Sequence, residues 1–479
     1  MELIPIAAFL ANIIFVMGLG WYLITNLQWY DYRIERVVLR HHKTWWHIAY
    51  FIAPFILYYA LSRYSLFVVA LYLPLVYLWH VRLDKKVVLT WRVKRFLILL
   101  LSLTLLINLL IALKGWGNAY SVIFPLVLTY ILSWGIEKFL FLAYKKQAKQ
   151  KVASMENLTI ICVTGSYGKT SMKNFIAQVL GQKFNVYATP RSVNTLGGII
   201  RDVNESLPAN IQVYICEAGA REIGDIYAIA QLLHPQIVVV GKVGPQHLEY
   251  FKTLERIQRT KLEIIHSDRL KRAFIHTSVT DEPHEKVTFF GDDIHNLEAT
   301  LEGIDFDVNV NGEERHFHTN VLGGFQTINI NAAILIASEM GMSSDEIVNA
   351  VAKLKSVEHR LERIDAGGKI ILDDGYNGNI DGMLEGVRLC SLHNGRKVIV
   401  TPGLVESTEA LNSELIRAIN GVFDIAIITG QLNAAQFDKE LNVPNKIMLS
   451  DKSQMVKTLG EVTRAGDIIL FANDAPNFI

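Results

Sequence analysis

Two glycines, a lysine and a threonine stand close together in Thr164-Gly165-Ser166-Tyr167-Gly168-Lys169-Thr170-Ser171. A glycine turn between an apolar strand and a helix aims backbone N–H groups and a helix N-terminus at an anion. The Lys169 ammonium would reach the terminal phosphates of a polyphosphate, and the Thr170 hydroxyl would complete the shell of a Mg²⁺ ion. The usual phosphate-loop pattern wants another glycine where Val163 stands, so an ordinary strand-to-helix turn is the plain alternative. A second candidate is Glu217, in Cys216-Glu217-Ala218-Gly219-Ala220 at the end of an apolar run. From a strand end beside such a loop its carboxylate would share the metal with Thr170. His247, in Gln246-His247-Leu248-Glu249, and Lys261, in Thr260-Lys261-Leu262-Glu263-Ile264, say little when taken singly. Each reads most simply as a structural histidine and a solvent-facing helix lysine.

These residues need a scaffold, and the pattern supplies one. Residues 158–163 read as a buried strand, and Met172, Phe175, Ile176, Val179 and Leu180 recur at helical spacing behind the glycine turn. Residues 213–216 and 236–240 read as further buried strands of a mainly parallel sheet. Residues 292–318 differ: short alternating runs around Asn311-Gly312 predict a small antiparallel insertion. A helix over 329–340 and a connector over 357–362 lead to a second, Rossmann-like α/β unit, with strands at 369–372, 397–400, 425–428 and 468–471. The fold class is therefore an α-helical membrane region followed by α/β, with boundaries at 1–150, 151–356 and 357–479.

Lysine plus arginine number 47 against 46 acids in 479 residues, so the charge balance gives no argument for a nucleic-acid partner. Three cysteines, Cys162, Cys216 and Cys390, all in apolar contexts, exclude a zinc ribbon or a disulfide framework. The 51% hydrophobic share is concentrated at the start of the chain. Apolar runs cover 3–24, 46–61, 66–79, 96–113 and 120–142, and basic residues cluster in the loops around Arg36 and Lys86 and after residue 144. By length and by the positive-inside rule this predicts five spans, an external N-terminus, and a multi-pass inner-membrane protein with its catalytic part in the cytoplasm. No acid or base within the runs is expected to pair with another, which argues against transport.

Taken together, the motifs resemble the Mur ligase family, whose central domain opens with T-G-x-x-G-K-T, here Thr164 to Thr170; this accounts for the missing glycine. The resemblance extends through Glu217–Ala220, His247–Glu249 and Lys261–Ile264. It continues through His359-Arg360-Leu361-Glu362, Asp373-Asp374-Gly375-Tyr376-Asn377-Gly378-Asn379 and Thr401-Pro402-Gly403-Leu404-Val405-Glu406. It implies ATP and two Mg²⁺ ions, with Lys261 N-carbamylated and sharing the second ion with His247. Arg360 would reach the ATP phosphates, Asp374 and Asn377 would sit at the nucleotide and acyl-phosphate, and Asn329 would contact adenine. The motifs are most similar to the branch that joins D-alanyl-D-alanine to UDP-N-acetylmuramoyl-tripeptide. Other partners implied are the lipid bilayer and other cell-wall synthesis proteins. The sequence departs from the pattern at Gly378 and Ile380, and at Phe325-Gln326, where His-Asn is common. The family's UDP-holding N-terminal domain has no counterpart; apolar helices occupy its place.

Two other readings compete. A membrane ATPase would hydrolyse ATP with no amine acceptor, but the chain lacks a Leu-Ser-Gly-Gly-Gln-type signature, and its third strand ends in Gly241 instead of an acid. A different Mur-type amide ligase is the nearer alternative, although the amidating relatives with a four-cysteine zinc site are excluded by the cysteine count. An inactive scaffold would not keep Lys169, Thr170, Glu217, His247 and Lys261 together.

Overall fold

The computed structural model describes residues 3–39, 41–83, 85–114, 118–191, 193–244, 251–280, 282, 284–376, 379–405 and 407–474. The chain divides into two units, Met1–Tyr144 and Lys145–Ile479.

The first unit is helical. The helix Leu3–Trp29 packs against the helices Ser65–Val81 and Trp91–Lys114, burying Phe15, Leu19 and Tyr22 with Tyr72, Val93 and Phe96. Among the described residues, four helices are long and apolar enough to cross a membrane by length and composition: Ile6–Trp29, Ser62–Val81, Trp91–Lys114 and Ile123–Ala153. The expected count of five is thus corrected. The run over 46–61 forms one continuous helix, Trp45–His47 leading through a π-helical turn Ile48–Ile52 into Ala53–Ala60, and it falls short of the roughly 20 residues a span needs. The last helix also continues to Ala153, past the predicted end at 142. A second correction concerns charge pairing. Glu137, inside the last apolar run, accepts from Arg95 Nη2 at 2.7 Å and lies 3.8 Å from Arg92 Nε. The arginines come from the N-terminal turn of Trp91–Lys114, and pairing lowers the cost of holding a carboxylate among apolar helices.

The second unit carries two large sheets. In the first, β1 (Thr159–Thr164), β2 (Val186–Ala188), β3 (Val213–Glu217), β4 (Ile237–Val240), β5 (Arg272–His276) and β6 (Val287–Phe290) are all parallel. Their order is β2-β3-β1-β4-β5-β6, which puts β1 in the middle. Parallel strands buried on both faces read as continuous apolar runs, which is why β1, β3 and β4 were legible. β2 has only three residues and β5 opens on a charge, so neither carries that signal. On one face Met172, Phe175, Ile176 and Val179 pack against Ile330, Ala333 and Ile334 of the helix Gln326–Glu339. Each fully buried Ile or Phe of this kind stabilises by about 1.5–3 kcal/mol. Ile199, Val203, Ile229, Leu233 and Ile257 cover the other face.

The antiparallel insertion forms as expected from β7 (Ile294–Ala299), β8 (Ile304–Val310) and β9 (Glu313–Thr319). Asn311 and Gly312 make its hairpin turn with φ of 56° and 88°, the signs a two-residue turn with the matching twist requires. The second large sheet has the order β10-β11-β15-β12-β13-β14. It is built from β10 (Glu362–Ala366), β11 (Lys369–Asp374), β12 (Lys397–Thr401), β13 (Ile425–Thr429), β14 (Asn445–Leu449) and β15 (Ile468–Ala472). Only β10 runs antiparallel, paired to β11.

Candidate active site

The register brings Glu217 beside Val163, so the carboxylate emerges next to the loop that follows β1. That loop is held from the far side by β4's continuation. Ser166 and Tyr167 donate their N–H groups to the Lys242 carbonyl at 3.0 and 3.3 Å, and Ser166 Oγ donates to the Gly244 carbonyl at 3.1 Å. Gly165 and Gly168 adopt φ of 151° and 74°, a region that side chains disfavour. A Cβ on Gly168 would also lie 2.3 Å from Asn329 Oδ1, so the loop and the helix Gln326–Glu339 are in direct contact. The Asn329 amide in turn donates to Gln326 Oε1 at 2.8 Å.

Lys169 opens the helix Lys169–Leu180 and donates to the Gly165 and Ser166 carbonyls at 2.9 and 2.8 Å. Burial pushes its pKa down, opposed by the attraction of Glu217. Thr170 Oγ1 donates to Glu217 Oε2 at 3.0 Å, and Asn194 Nδ2 donates to Oε1 at 3.2 Å. Hydroxyl and carboxylate oxygens at this spacing fit a small hard cation such as Mg²⁺, which commonly takes one or two protein ligands and completes its shell with phosphate oxygens and water. In keeping with that, no cluster of three or more His, Cys, Asp or Glu side chains suited to a metal occurs among the described residues.

Arg360 comes from the connector between the two sheets. His359 and Leu361 on either side of it have φ of 58° and 55°. Single left-handed residues of this type cost of order 1–3 kcal/mol and persist where the surroundings fix them. Here the clamps are His359 Nδ1 on Asp373 Oδ2 at 2.6 Å and the Leu361 N–H on Asp374 Oδ1 at 3.1 Å. Arg360 Nη1 donates to the Tyr376 carbonyl. Burial lowers the guanidinium's pKa, countered by Asp374 and then Glu217.

A cavity of about 850 Å³ joins these parts. Ser166 to Ser171, Glu217, Asn329, Arg360 and Asp374 line it together, so most of the sequence-derived set converges. Gly165 lies just behind. His247 and Asn377 fall outside the described residues. Lys261 is placed differently. It sits on the helix Leu254–Leu262, does not line the cavity, and is 4% exposed, which overturns the reading of a solvent-facing lysine. Burial, helped by the positive charge of Lys169, lowers its pKa to about 7.

Several lining residues were missed. Lys173 is buried with its ammonium 3.6 Å from Glu217 Oε2. Arg191 pairs with Glu358 at 2.9 Å and stacks over Tyr376 at 5.0 Å, while Lys242 pairs with Asp381 at 3.0 Å. Lys173 alone left a trace in the sequence: a charge on the otherwise apolar face of its helix.

A phosphate loop entering a helix, a carboxylate on the neighbouring strand and an arginine from the connector to a second α/β sheet are parts that phosphoryl transfer from ATP uses. Residues 163–337 match the Mur ligase middle domain. The chain is 28% identical over 334 residues to the UDP-N-acetylmuramoyl-tripeptide--D-alanyl-D-alanine ligase of Bacillus subtilis, covering 65% of this chain and 72% of that one. Against the ligase of the same name from Mycobacterium tuberculosis the identity is 30%, but only 50% of each chain is covered. Among solved structures, MurF of Thermotoga maritima in complex with ADP aligns with a TM-score of 0.59 at 25% identity, over 69% of this chain and 80% of that one. The resemblance drawn from the motifs is thereby borne out. The expected multi-pass inner-membrane location is not. The relatives that the chain matches are named as ligases, and the four apolar helices among the described residues qualify by length and composition alone.

Proposed function

We propose that this chain forms an amide bond at the expense of ATP, joining D-alanyl-D-alanine to the tripeptide carboxylate of UDP-N-acetylmuramoyl-tripeptide. The observation that carries the reading is the convergence of Lys169, Thr170, Glu217, Arg360 and Asp374 on one cavity. The substrate carboxylate attacks the γ-phosphorus of ATP, ADP leaves, and the amine then displaces phosphate from the acyl-phosphate through a tetrahedral adduct. Lys169 leaves its loop carbonyls for the phosphates, and Arg360 approaches them from the connector; both place positive charge where negative charge develops. Thr170 and Glu217 would hold Mg²⁺, which supplies charge neutralisation at the transferring phosphoryl group. Asn329 faces the base, and Asp374 with Asn377 orders the nucleotide and the acyl-phosphate. A carbamate on Lys261, with His247, would hold a second Mg²⁺.

The pKa of Lys261 supports that last assignment, because only a neutral amine captures CO₂, and burial keeps a sizeable neutral fraction near pH 7. We assign residues 151–356 to the central domain and 357–479 to the C-terminal domain. The deciding experiment is ADP release by the full-length protein, supplied with UDP-N-acetylmuramoyl-tripeptide and a panel of amines. Release is expected only when both the tripeptide and D-alanyl-D-alanine are present. ADP release at the same rate without any amine would make the protein an ATPase.

A further inference from the structure

We propose that Lys173 makes metal binding at Glu217 conditional on the nucleotide, so that the divalent ion enters with the phosphates and not ahead of them. The inference rests on the ATP-binding reading above. Lys173 and Glu217 are 2% and 4% exposed, their charged atoms lie 3.6 Å apart, and the ammonium is tied to the Thr189 carbonyl at 2.7 Å. An ion pair this deep is little screened by salt and does not exchange with solvent as a surface pair does.

Lys173 occupies a helix face whose other members, Met172, Phe175 and Ile176, are buried and apolar. Removing an ammonium from water to such a place costs several kcal/mol that a methionine would avoid. The carboxylate that offsets this cost is Glu217, which also feels Lys169 and Arg360. Glu217 therefore faces Lys173 and Lys169 directly, and shares Arg360 with Asp374. Before the nucleotide arrives, the field at Thr170 and Glu217 is positive, and a lone divalent cation would gain only two protein oxygens against it. The phosphates reverse the sign of the field and supply the remaining oxygen ligands. Lys169 and Arg360 are committed to the phosphates once these are bound. Lys173 stays where it is, fixed by Thr189, and its charge weighs most on the empty site, where a metal ion has only the Thr170 and Glu217 oxygens to set against it, and least once phosphate oxygens supply the larger part of the ion's shell.

Manganese(II) is the probe, followed by its paramagnetic resonance signal in titrations of the full-length protein with and without ADP. The wild type is expected to bind Mn²⁺ weakly alone and tightly with ADP. Lys173→Met should bind Mn²⁺ without ADP at least about tenfold more tightly, and the coupling between metal and ADP should fall by the same factor from either direction of titration. Lys173→Arg should behave as wild type, and adding Glu217→Gln to Lys173→Met should abolish the gain. If Lys173→Met no longer binds Mn²⁺ with ADP, Lys173→Gln, which retains a donor for Thr189, decides by the same measurement. A neutral variant that binds Mn²⁺ with ADP yet gains no affinity without it overturns the proposal. A wild type that binds no Mn²⁺ even with ADP overturns the ATP-binding reading instead.

Discussion

Lys261 allows a quantitative test, because its burial makes stability depend on pH in a direction that a surface lysine does not produce. Its pKa falls from 10.5 to about 7 on folding. Between those values the unfolded chain holds a proton that the folded chain lacks, so stability rises with pH across that window. Below pH 7 the folded protein must carry a buried ammonium, and the full penalty, roughly 5 kcal/mol for a shift of this size, is present. From pH 7 to pH 9 the wild type should recover roughly 3 kcal/mol of it. Lys261→Met has no such proton and should show none of that slope. All eight tryptophans lie between Trp21 and Trp134, so fluorescence would report on the wrong part of the chain. Proteolysis in urea, scored by mass spectrometry for cleavage within 254–265 in CO₂-depleted buffer, reads the right one. The variant should be the more stable protein at pH 7, and its advantage should shrink by roughly 3 kcal/mol at pH 9. A difference between the two proteins that does not change between pH 7 and pH 9 would refute the claim that Lys261 is neutral in the folded chain.

Other outcomes follow from single contacts. Gly168→Ala places a methyl 2.3 Å from Asn329 Oδ1 at a left-handed φ, and should weaken ADP binding at least tenfold in calorimetry while leaving the antiparallel insertion protected from exchange. Arg360→Ala should lower kcat by roughly a hundredfold with a much smaller change in the dissociation constant for ADP, if its guanidinium acts on the transferring phosphoryl group. Equal losses in both would make it an anchor only. With ¹³C-bicarbonate at pH 8, the wild type should show a carbamate resonance that is missing from Lys261→Met; the same spectrum from both proteins would remove the second metal ligand.

The phosphate loop was legible because its chemistry is local: glycines, lysine and threonine sit within eight residues, and the strand before them is apolar on both faces. Glu217 was legible for a related reason, standing where an apolar run stops. The burial of Lys173 and Lys261 was not, beyond the charge that Lys173 places on an otherwise apolar helix face. A lysine on a helix ordinarily faces water, and only the packing of the opposite helices and sheet shows that these two do not. The residues around Arg360 were found by motif, but the left-handed His359 and Leu361 were not, since leucine rarely adopts a positive φ and histidine, though enriched there, takes it in only a small minority of cases. Hydropathy counted a span at 46–61 because it registers an apolar run, whereas the helix there, from Trp45 to Ala60, is short of a spanning length.

The placement of β1 also bears on how the protein is made. The carbonyls that fix the phosphate loop belong to Lys242 and Gly244, the second of them 78 residues further along the chain than Ser166. During synthesis the loop emerges from the ribosome long before its clamp, and at about 5–20 residues per second the wait lasts on the order of several seconds. Until β3 emerges, β1 has neither neighbour beside it, and one of its edges stays open until β4 follows. An apolar strand with two open edges is a template for pairing with other chains. Closing such a long parallel contact is intrinsically slow. The nascent protein thus passes through a period in which this apolar central strand is least protected. Ribosome pausing ahead of codon 237 would lengthen that period and should lower the yield of soluble chain.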